Sequence, residues 1–359
     1  MSLIETIIRP DVRELSAYHV PDSSGYLKLD AMENPYRLPD DMQKKLGEHL
    51  ADVAINRYPV PSYSTLKAKI REKLGIPQGY DVVVGNGSDE LITIVATSLA
   101  RQDRRAKMLA PIPTFVMYAV SAQFAGLDFI GVPLKADFSL DMDAMLEAIR
   151  MHRPSVLFLS YPNNPTGNLF DINEMLILTE AMKDTGIVIS DEAYQPFAQA
   201  SMMPYLPSHP NLVVMRTVSK LGLAGVRLGY MSASPELLTE FDKVRPPYNV
   251  NVLTEAAVSF ALDHIDVFNA QATSLRADRE VLSSALAALP GVDVLPSSAN
   301  FVLIRLENAD AVFEKLLAKK VLIKNVGKMH LLLDNCLRIT IGTPEENRQF
   351  LELFRTCLR

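Results

Sequence analysis

The stretch best suited to covalent chemistry is Ser219-Lys220, delivered by an apolar β-type run, Leu212 to Met215, into a segment rich in glycine and small residues. A lysine at the end of a buried strand is desolvated. Desolvation lowers the pKa of an amine, and an unprotonated amine can form a Schiff base. The hydroxyls of Thr217 and Ser219 and the guanidinium of Arg227, seven positions after the lysine, are donors of the kind a phosphate anchored beside it would need. A lone Ser-Lys pair would more simply be an exposed loop lysine; the upstream residues argue otherwise.

Three further segments carry chemistry. An apolar run from Ile187 ends in Asp191-Glu192-Ala193-Tyr194. A carboxylate closing a central strand is costly unless a cation faces it, so Asp191 is a site candidate. Another run, 155–160, ends in Asn163-Asn164-Pro165-Thr166-Gly167, a rigid turn. A third, Asp81 to Val84, meets Gly85-Asn86-Gly87-Ser88-Asp89 at the start of a helix, where free backbone N–H groups can cradle a phosphate. Taken alone, Ser88 and Asp89 would serve as ordinary helix caps. This last segment is not a dinucleotide fingerprint, because Glu90 stands in the third glycine's place, and it has no P-loop lysine.

The elements that must position these residues alternate between strand and helix. Strands are expected at 107–110, 128–132, 155–160, 187–191, 212–217 and 228–232, with helices at 114–125, 141–152 and 172–184. That alternation predicts an α/β fold: a largely parallel sheet with helices on both faces. Asn164, Asp191 with Tyr194, and Lys220 then share the carboxyl edge where open α/β sheets bind ligands. Residues 1–35 read as an irregular arm with a short strand near Tyr26 to Leu29, and helices are expected at 39–50 and from Tyr63 to Leu74. Beyond Pro246-Pro247, helices at 253–262, 266–289, 309–319 and 345–357 mix with short strands at 292–294, 301–306 and 336–341, an α+β pattern. The expected organisation is an arm (1–35) joining a small domain, a large domain (36–246), and a small C-terminal domain (247–359).

Composition narrows the function classes. A chain of 359 residues, 48% hydrophobic, can bury a large core in about two domains. A net charge of −6 and a pI near 5.6 argue against nucleic acid or an anionic membrane as a main partner. Two cysteines, Cys336 and Cys357, without paired spacing suggest a reduced, cytoplasmic compartment. Met1 to Pro10 is too short and mixed for a signal segment, and no stretch of about twenty apolar residues occurs. The six histidines are scattered, so no metal site is expected.

The four segments together fit pyridoxal 5′-phosphate, which needs a lysine for its aldehyde, a carboxylate to keep its ring nitrogen protonated, donors to its ring hydroxyl, and a phosphate cage. On these residues the chain resembles the fold-type-I pyridoxal-phosphate aminotransferases: Asn164-Pro165-Thr166-Gly167, Asp191-Glu192-Ala193-Tyr194, and Ser219-Lys220 with Arg227 are their motifs. Within them it resembles the histidinol-phosphate aminotransferase branch. That likeness rests on Lys28-Leu29 with Glu33-Asn34-Pro35, Arg57-Tyr58-Pro59, Arg245 to Asn251, Ser298 to Phe301, and Leu337 to Pro344.

The resemblance implies a role for each position. Lys220 would hold the cofactor as an internal aldimine and then move a proton between the substrate Cα and the cofactor. Asp191 would face the ring nitrogen, Asn164 and Tyr194 the ring oxygen, and Phe115 the ring plane. Gly87, Ser88, Asp89, Ser219 and Arg227, helped by Thr217, would hold the phosphate. Tyr58 would reach the same phosphate from a second subunit, making a homodimer. Tyr18, Asn34, Asn300, Lys324 and Arg338 would receive substrate. The chain departs from the family pattern in a Lys220–Arg227 loop one residue shorter than is common, in phenylalanine rather than tyrosine at 115, in Met32, and in Lys324.

The implied reaction is a ping-pong transamination between glutamate/2-oxoglutarate and imidazole acetol phosphate/histidinol phosphate, a step of histidine biosynthesis. Alternatives are an aromatic amino acid aminotransferase, a pyridoxal-phosphate decarboxylase of a phospho-amino acid such as threonine phosphate, and a non-catalytic binding protein. The pair Lys220 and Asp191 counts against the last.

Overall fold

Strand residues alternate between two apolar faces, which is why the central runs read as continuously hydrophobic. The computed structural model describes residues 2–14, 22–100 and 105–358. In chain order the elements are α1 (Leu3–Ile7), α2 (Pro10–Arg13), β1 (Leu27–Lys28), α3 (Asp40–Ala51), α4 (Ser64–Lys73), β2 (Asp81–Asn86) and α5 (Gly87–Leu99). They continue with β3 (Lys107–Ile112), α6 (Met117–Ala125), β4 (Asp128–Pro133), α7 (Met142–His152), β5 (Val156–Ser160), α8 (Ile172–Met182) and β6 (Ile187–Asp191). Next come β7 (Leu212–Thr217), β8 (Leu228–Ala233), α9 (Pro235–Asp242), α10 (Val252–Asp263) and α11 (Ile265–Ala287). The last are β9 (Asp293–Val294), β10 (Phe301–Arg305), α12 (Ala309–Ala318), β11 (Val321–Leu322), β12 (Lys324–Asn325), β13 (Cys336–Thr340) and α13 (Pro344–Cys357). Among the described residues no helix is long and apolar enough to cross a membrane.

The main sheet has seven strands in the order β2-β8-β7-β6-β5-β3-β4. All neighbours are parallel except at β8, which runs antiparallel to both β2 and β7. Val156, Phe158, Ile189, Val213 and Met215 face α5, α6 and α9, whereas Leu157, Leu159, Val188, Leu212 and Val214 face α7 and α8. A smaller sheet, β12-β13-β10-β9, is antiparallel and packs against α11, α12 and α13. The expected boundary at 246 assigns α10 to the small domain, yet Val258 and Leu262 of α10 pack with Tyr63, Leu66, Val82 and Leu228 beside the main sheet.

The described part of the arm has more regular structure than expected. It carries the short helices α1 and α2, and its strand β1 pairs in parallel with β11. A capping box between Ser2 and Glu5 starts α1, a local signal that the reading of an irregular arm passed over. The segment after β7 is a different local surprise: Ser219–Leu223 forms a π-helical turn, with Gly222 at φ 138°. Left-handed backbone of that kind favours glycine.

A buried ion pair braces the strand ends. Arg216 donates from Nε and Nη2 to Glu192 Oε2 at 3.0 and 2.8 Å, and Ser201 Oγ donates to the same oxygen at 2.7 Å. The Met202 N–H donates to Oε1 at 2.6 Å. Breaking such a pair from one side strands a buried charge. Arg216→Met is therefore expected to lower unfolding free energy by about 3–5 kcal/mol in urea titrations. The double variant Arg216→Met/Glu192→Leu should recover most of that loss.

Candidate active site

The carboxyl edge of the main sheet is level where the chemistry lies. Ser160 of β5 pairs with Asp191 of β6, and Asp191 with Met215 of β7, so these strand ends line up and place Thr217 two residues beyond. Because β8 is antiparallel, its first residue, Leu228, faces Asn86, the last residue of β2. The reversal brings Arg227 and the Gly87 turn to the edge that also carries Lys220. One cavity results, lined by Met32, Ser88, Asp89, Phe115, Ser160, Asn164, Asp191, Ala193, Tyr194, Thr217, Ser219, Lys220 and Arg227.

One wall is a cluster of donors. Arg227 Nη1 reaches Ser219 Oγ at 3.5 Å and Nη2 reaches Asp89 Oδ2 at 3.4 Å, so the shorter loop does not keep Arg227 from the cavity. Thr217 Oγ1 donates within 2.9 Å of Ser219 Oγ. Gly87 has φ 79°, and a β-carbon there would lie 2.6 Å from Arg227 Nη2. A β-carbon on Gly229 would lie 2.7 Å from the carbonyl carbon of Gly87. Both glycines are needed for this close approach.

The same cavity holds buried titratable groups. Asp191 is buried; Tyr118 donates its hydroxyl to Oδ2 at 2.7 Å, and the Ala193 N–H donates to Oδ1 at 3.2 Å. Burial raises its pKa to about 6 despite those two hydrogen bonds. Among the described residues no lysine or arginine forms an ion pair with it. Lys220 donates from Nζ to the carbonyl of Ala31 at 3.0 Å and lies 5.8 Å from the centre of the Tyr194 ring. Burial, with Arg338 next, lowers its pKa to about 8. Burial also pushes the Tyr194 hydroxyl well up.

The arm closes this side with three successive carbonyls. Asp30 O accepts from Arg338 Nη2 at 2.9 Å, Ala31 O from Lys220, and Met32 O from Asn300 Nδ2 at 2.9 Å. Arg338 Nη1 also donates to Asn164 Oδ1 at 2.6 Å, which leaves the Asn164 amide NH2 as the end able to donate elsewhere.

Not every expected residue lines this cavity. Asn34 donates to Leu221 O and to Gln271 Oε1, both at 2.9 Å, and borders an adjoining groove with Lys28, Glu33 and Glu346. Asn300 and Arg338 are buried just behind the arm. Lys324 pairs across the small sheet with Arg338 rather than lining the cavity. Tyr58 is 79% exposed and stacks on Tyr248 with ring centres 4.6 Å apart, away from the cavity. Tyr18 lies outside the described residues. Sequence reasoning missed Tyr118. Its signal was the i, i+3 spacing from Phe115 at the opening of α6.

These residues fit pyridoxal phosphate. The donor set and glycine cradle suit a phosphate, and a protonated ring nitrogen would supply the cation that Asp191 otherwise lacks.

The buried carboxyl of Asp191 makes a signed prediction for the cofactor-free protein. The folded pKa of Asp191, about 6, lies above its unfolded value of 3.8, so the folded state binds more protons between them and loses stability as pH rises through that window. Asp191→Asn is expected to melt above the parent at pH 8, with the gap closing as pH falls toward 4. With the cofactor added the order reverses, and Asp191→Asn should bind pyridoxal phosphate about ten- to a hundred-fold more weakly, the range of one hydrogen bond between charged groups.

Comparison with known proteins agrees with this geometry. The family model for aminotransferase class I and II matches residues 24–354. Histidinol-phosphate aminotransferase 2 of Cupriavidus pinatubonensis is 58% identical over 100% of this chain and 98% of its own length. Histidinol-phosphate aminotransferase 1 of Ralstonia nicotianae is 57% identical over 99% and 96%. Among solved structures, the histidinol-phosphate aminotransferase from Sinorhizobium meliloti in complex with pyridoxal-5′-phosphate superposes with a TM-score of 0.86 at 22% identity, covering 98% of each chain. L-threonine-O-3-phosphate decarboxylase from Porphyromonas gingivalis also shares the fold, with a TM-score of 0.77 at 24% identity over 92% of this chain and 98% of its own. The fold is thus shared by both of these solved proteins, and the matching family model and full-length relatives place the chain itself: it belongs to the class I and II aminotransferases, in the histidinol-phosphate aminotransferase family.

Proposed function

We propose that this chain is a pyridoxal-phosphate-dependent transaminase that exchanges an amino group between glutamate and imidazole acetol phosphate, giving 2-oxoglutarate and histidinol phosphate. The observation that carries the reading is the meeting of Lys220, Asp191, Asn164, Tyr194 and the Ser88/Ser219/Arg227 donors on one cavity. Pyridoxal phosphate supplies a carbon that can be joined to an amine and a protonated ring that accepts electrons when a Cα proton leaves.

The chain's own residues do the rest. Lys220 Nζ would hold the cofactor between turnovers and, when free, would take the proton from the substrate Cα. Its pKa near 8 keeps a neutral fraction available for that step at physiological pH. Asp191 keeps the ring nitrogen protonated, and the Asn164 amide and Tyr194 hydroxyl bond the ring oxygen. Gly87, Ser88, Ser219 and Arg227, with Thr217 and Asp89 orienting them, hold the phosphate, and Phe115 covers the ring. Arg338 receives the anionic group of either substrate, with Asn300, Asn34 and Lys324 near its path. Attachment of the cofactor would take Lys220 Nζ from the Ala31 carbonyl, and an anionic substrate group would compete with the Asp30 carbonyl for Arg338.

The exposed Ile55, Tyr58 and Val60 support a homodimer in which Tyr58 reaches the partner's phosphate site. The division into arm, large domain and small domain and a cytoplasmic location belong to the same reading.

The test is a half-reaction panel on protein loaded with pyridoxal phosphate. Glutamate and histidinol phosphate, added separately at low concentration, are each expected to bleach the visible band of the bound cofactor. If histidinol phosphate leaves the band unchanged while phenylalanine bleaches it, the substrate assignment fails. Carbon dioxide release from threonine phosphate would favour the decarboxylase. Lys220→Ala should reduce turnover by at least the ~10²–10⁴-fold that a positioned acid–base contributes. Co-expressing Lys220→Ala with Tyr58→Ala should restore activity that neither has alone. A mixture no more active than its parts would exclude a Tyr58 shared across subunits.

A further inference from the structure

Tyr118 is a fully buried phenol whose hydroxyl ends on the carboxylate of Asp191, 2.7 Å from Oδ2. Its ring is fixed on two sides. It stacks on Phe158, with centroids 4.5 Å apart and planes 23° apart, and meets Phe115 edge-on at 5.7 Å. A buried tyrosine needs a partner for its hydroxyl, and a backbone carbonyl is the commonplace solution for a core residue. Here the partner is the one buried carboxylate on the cavity wall, and the opening of α6 supplies both Phe115 and Tyr118.

The contact has chemical consequences. Asp191 Oδ1 is held by the Ala193 N–H and Oδ2 by Tyr118, so the carboxylate plane is pinned by one donor at each oxygen. Each oxygen keeps a lone pair free, which is enough to accept from a protonated ring nitrogen. A donor to a carboxylate makes it less basic. Remove that donor in so dry a place, and the proton shared with a ring nitrogen moves toward the carboxylate, discharging the ring. The other charged and titratable neighbours are Glu192, already neutralised by Arg216, together with Asp89 and Tyr194.

We infer that Tyr118 is a positioning residue for the transamination: its hydrogen bond to Asp191 Oδ2 orients that carboxylate and keeps the shared proton on the cofactor's ring nitrogen. The inference rests on the reading of Asp191 as the ring-nitrogen partner.

The test loads the full-length protein with pyridoxal phosphate labelled with nitrogen-15 in the ring and records the nitrogen chemical shift by NMR. Tyr118→Phe, which removes only the hydroxyl, is expected to move the shift toward that of an unprotonated pyridine. It should also weaken cofactor binding and lower turnover by about ten- to a hundred-fold, the range of one hydrogen bond to a charged group. Phe158→Leu, which loosens packing against the same ring and keeps the hydroxyl, should lower the melting temperature and leave the shift in place. The inference is overturned if Tyr118→Phe leaves the shift unchanged, or if Phe158→Leu moves it as far. Asp191→Asn separates the two levels. A shift unmoved by Asp191→Asn refutes the reading of Asp191 itself; one moved by Asp191→Asn and not by Tyr118→Phe refutes only the role of Tyr118.

Discussion

The structure turns on two groups of opposite charge kept dry at one sheet edge without an ion pair between them. Asp191 is held above its ordinary pKa and Lys220 below it, both chiefly by burial. Each costs the folded protein stability in its ionised form, and among the described residues neither forms an ion pair that would offset it. A ligand with a protonated ring nitrogen at one end and a carbonyl carbon at the other answers both at once. Binding and folding are thereby linked: the group that completes the site also relieves the protein.

Topology makes the arrangement possible. Parallel strands β5, β6 and β7 present Ser160, Asp191 and Met215 at one level, with Thr217 two residues further along β7. The antiparallel β8 then returns Arg227 to the same edge and lines it up with the Gly87 turn at the end of β2. Without that reversal the guanidinium and the helix N-terminus could not meet across Gly229. The arm completes the enclosure: β1 adds to β11, and the carbonyls of Asp30, Ala31 and Met32 reach Arg338, Lys220 and Asn300.

Much of this was legible in the sequence. Apolar runs ending in Asp191, Asn164 and Lys220 announce strand ends by composition alone, and the glycine turn before Asp89 announces a helix start. What escaped was set by tertiary contact. The antiparallel sense of β8 leaves no mark on a short apolar run, because parallel and antiparallel strands buried on both faces read alike. The π-helical turn after Val218 depends on Gly222 adopting φ 138° beside Asn34 and Phe268. Tyr118 was not among the residues singled out from the sequence, because its hydrogen bond to Asp191 joins segments 73 residues apart. Phe115 and Asn164 lie on the cavity with Lys220, whereas Asn34 and Lys324 lie outside its lining, in surroundings that come from distant segments.

The most direct measurement is chemical trapping at the lysine. The protein loaded with pyridoxal phosphate is reduced with borohydride, digested, and mapped by mass spectrometry. The account predicts one stable phosphopyridoxyl adduct, on the peptide containing Lys220, and none when amino-donor substrate in excess has first displaced that lysine. An adduct confined to any other lysine, or a Lys220 peptide left unmodified while the visible band is lost, would contradict it.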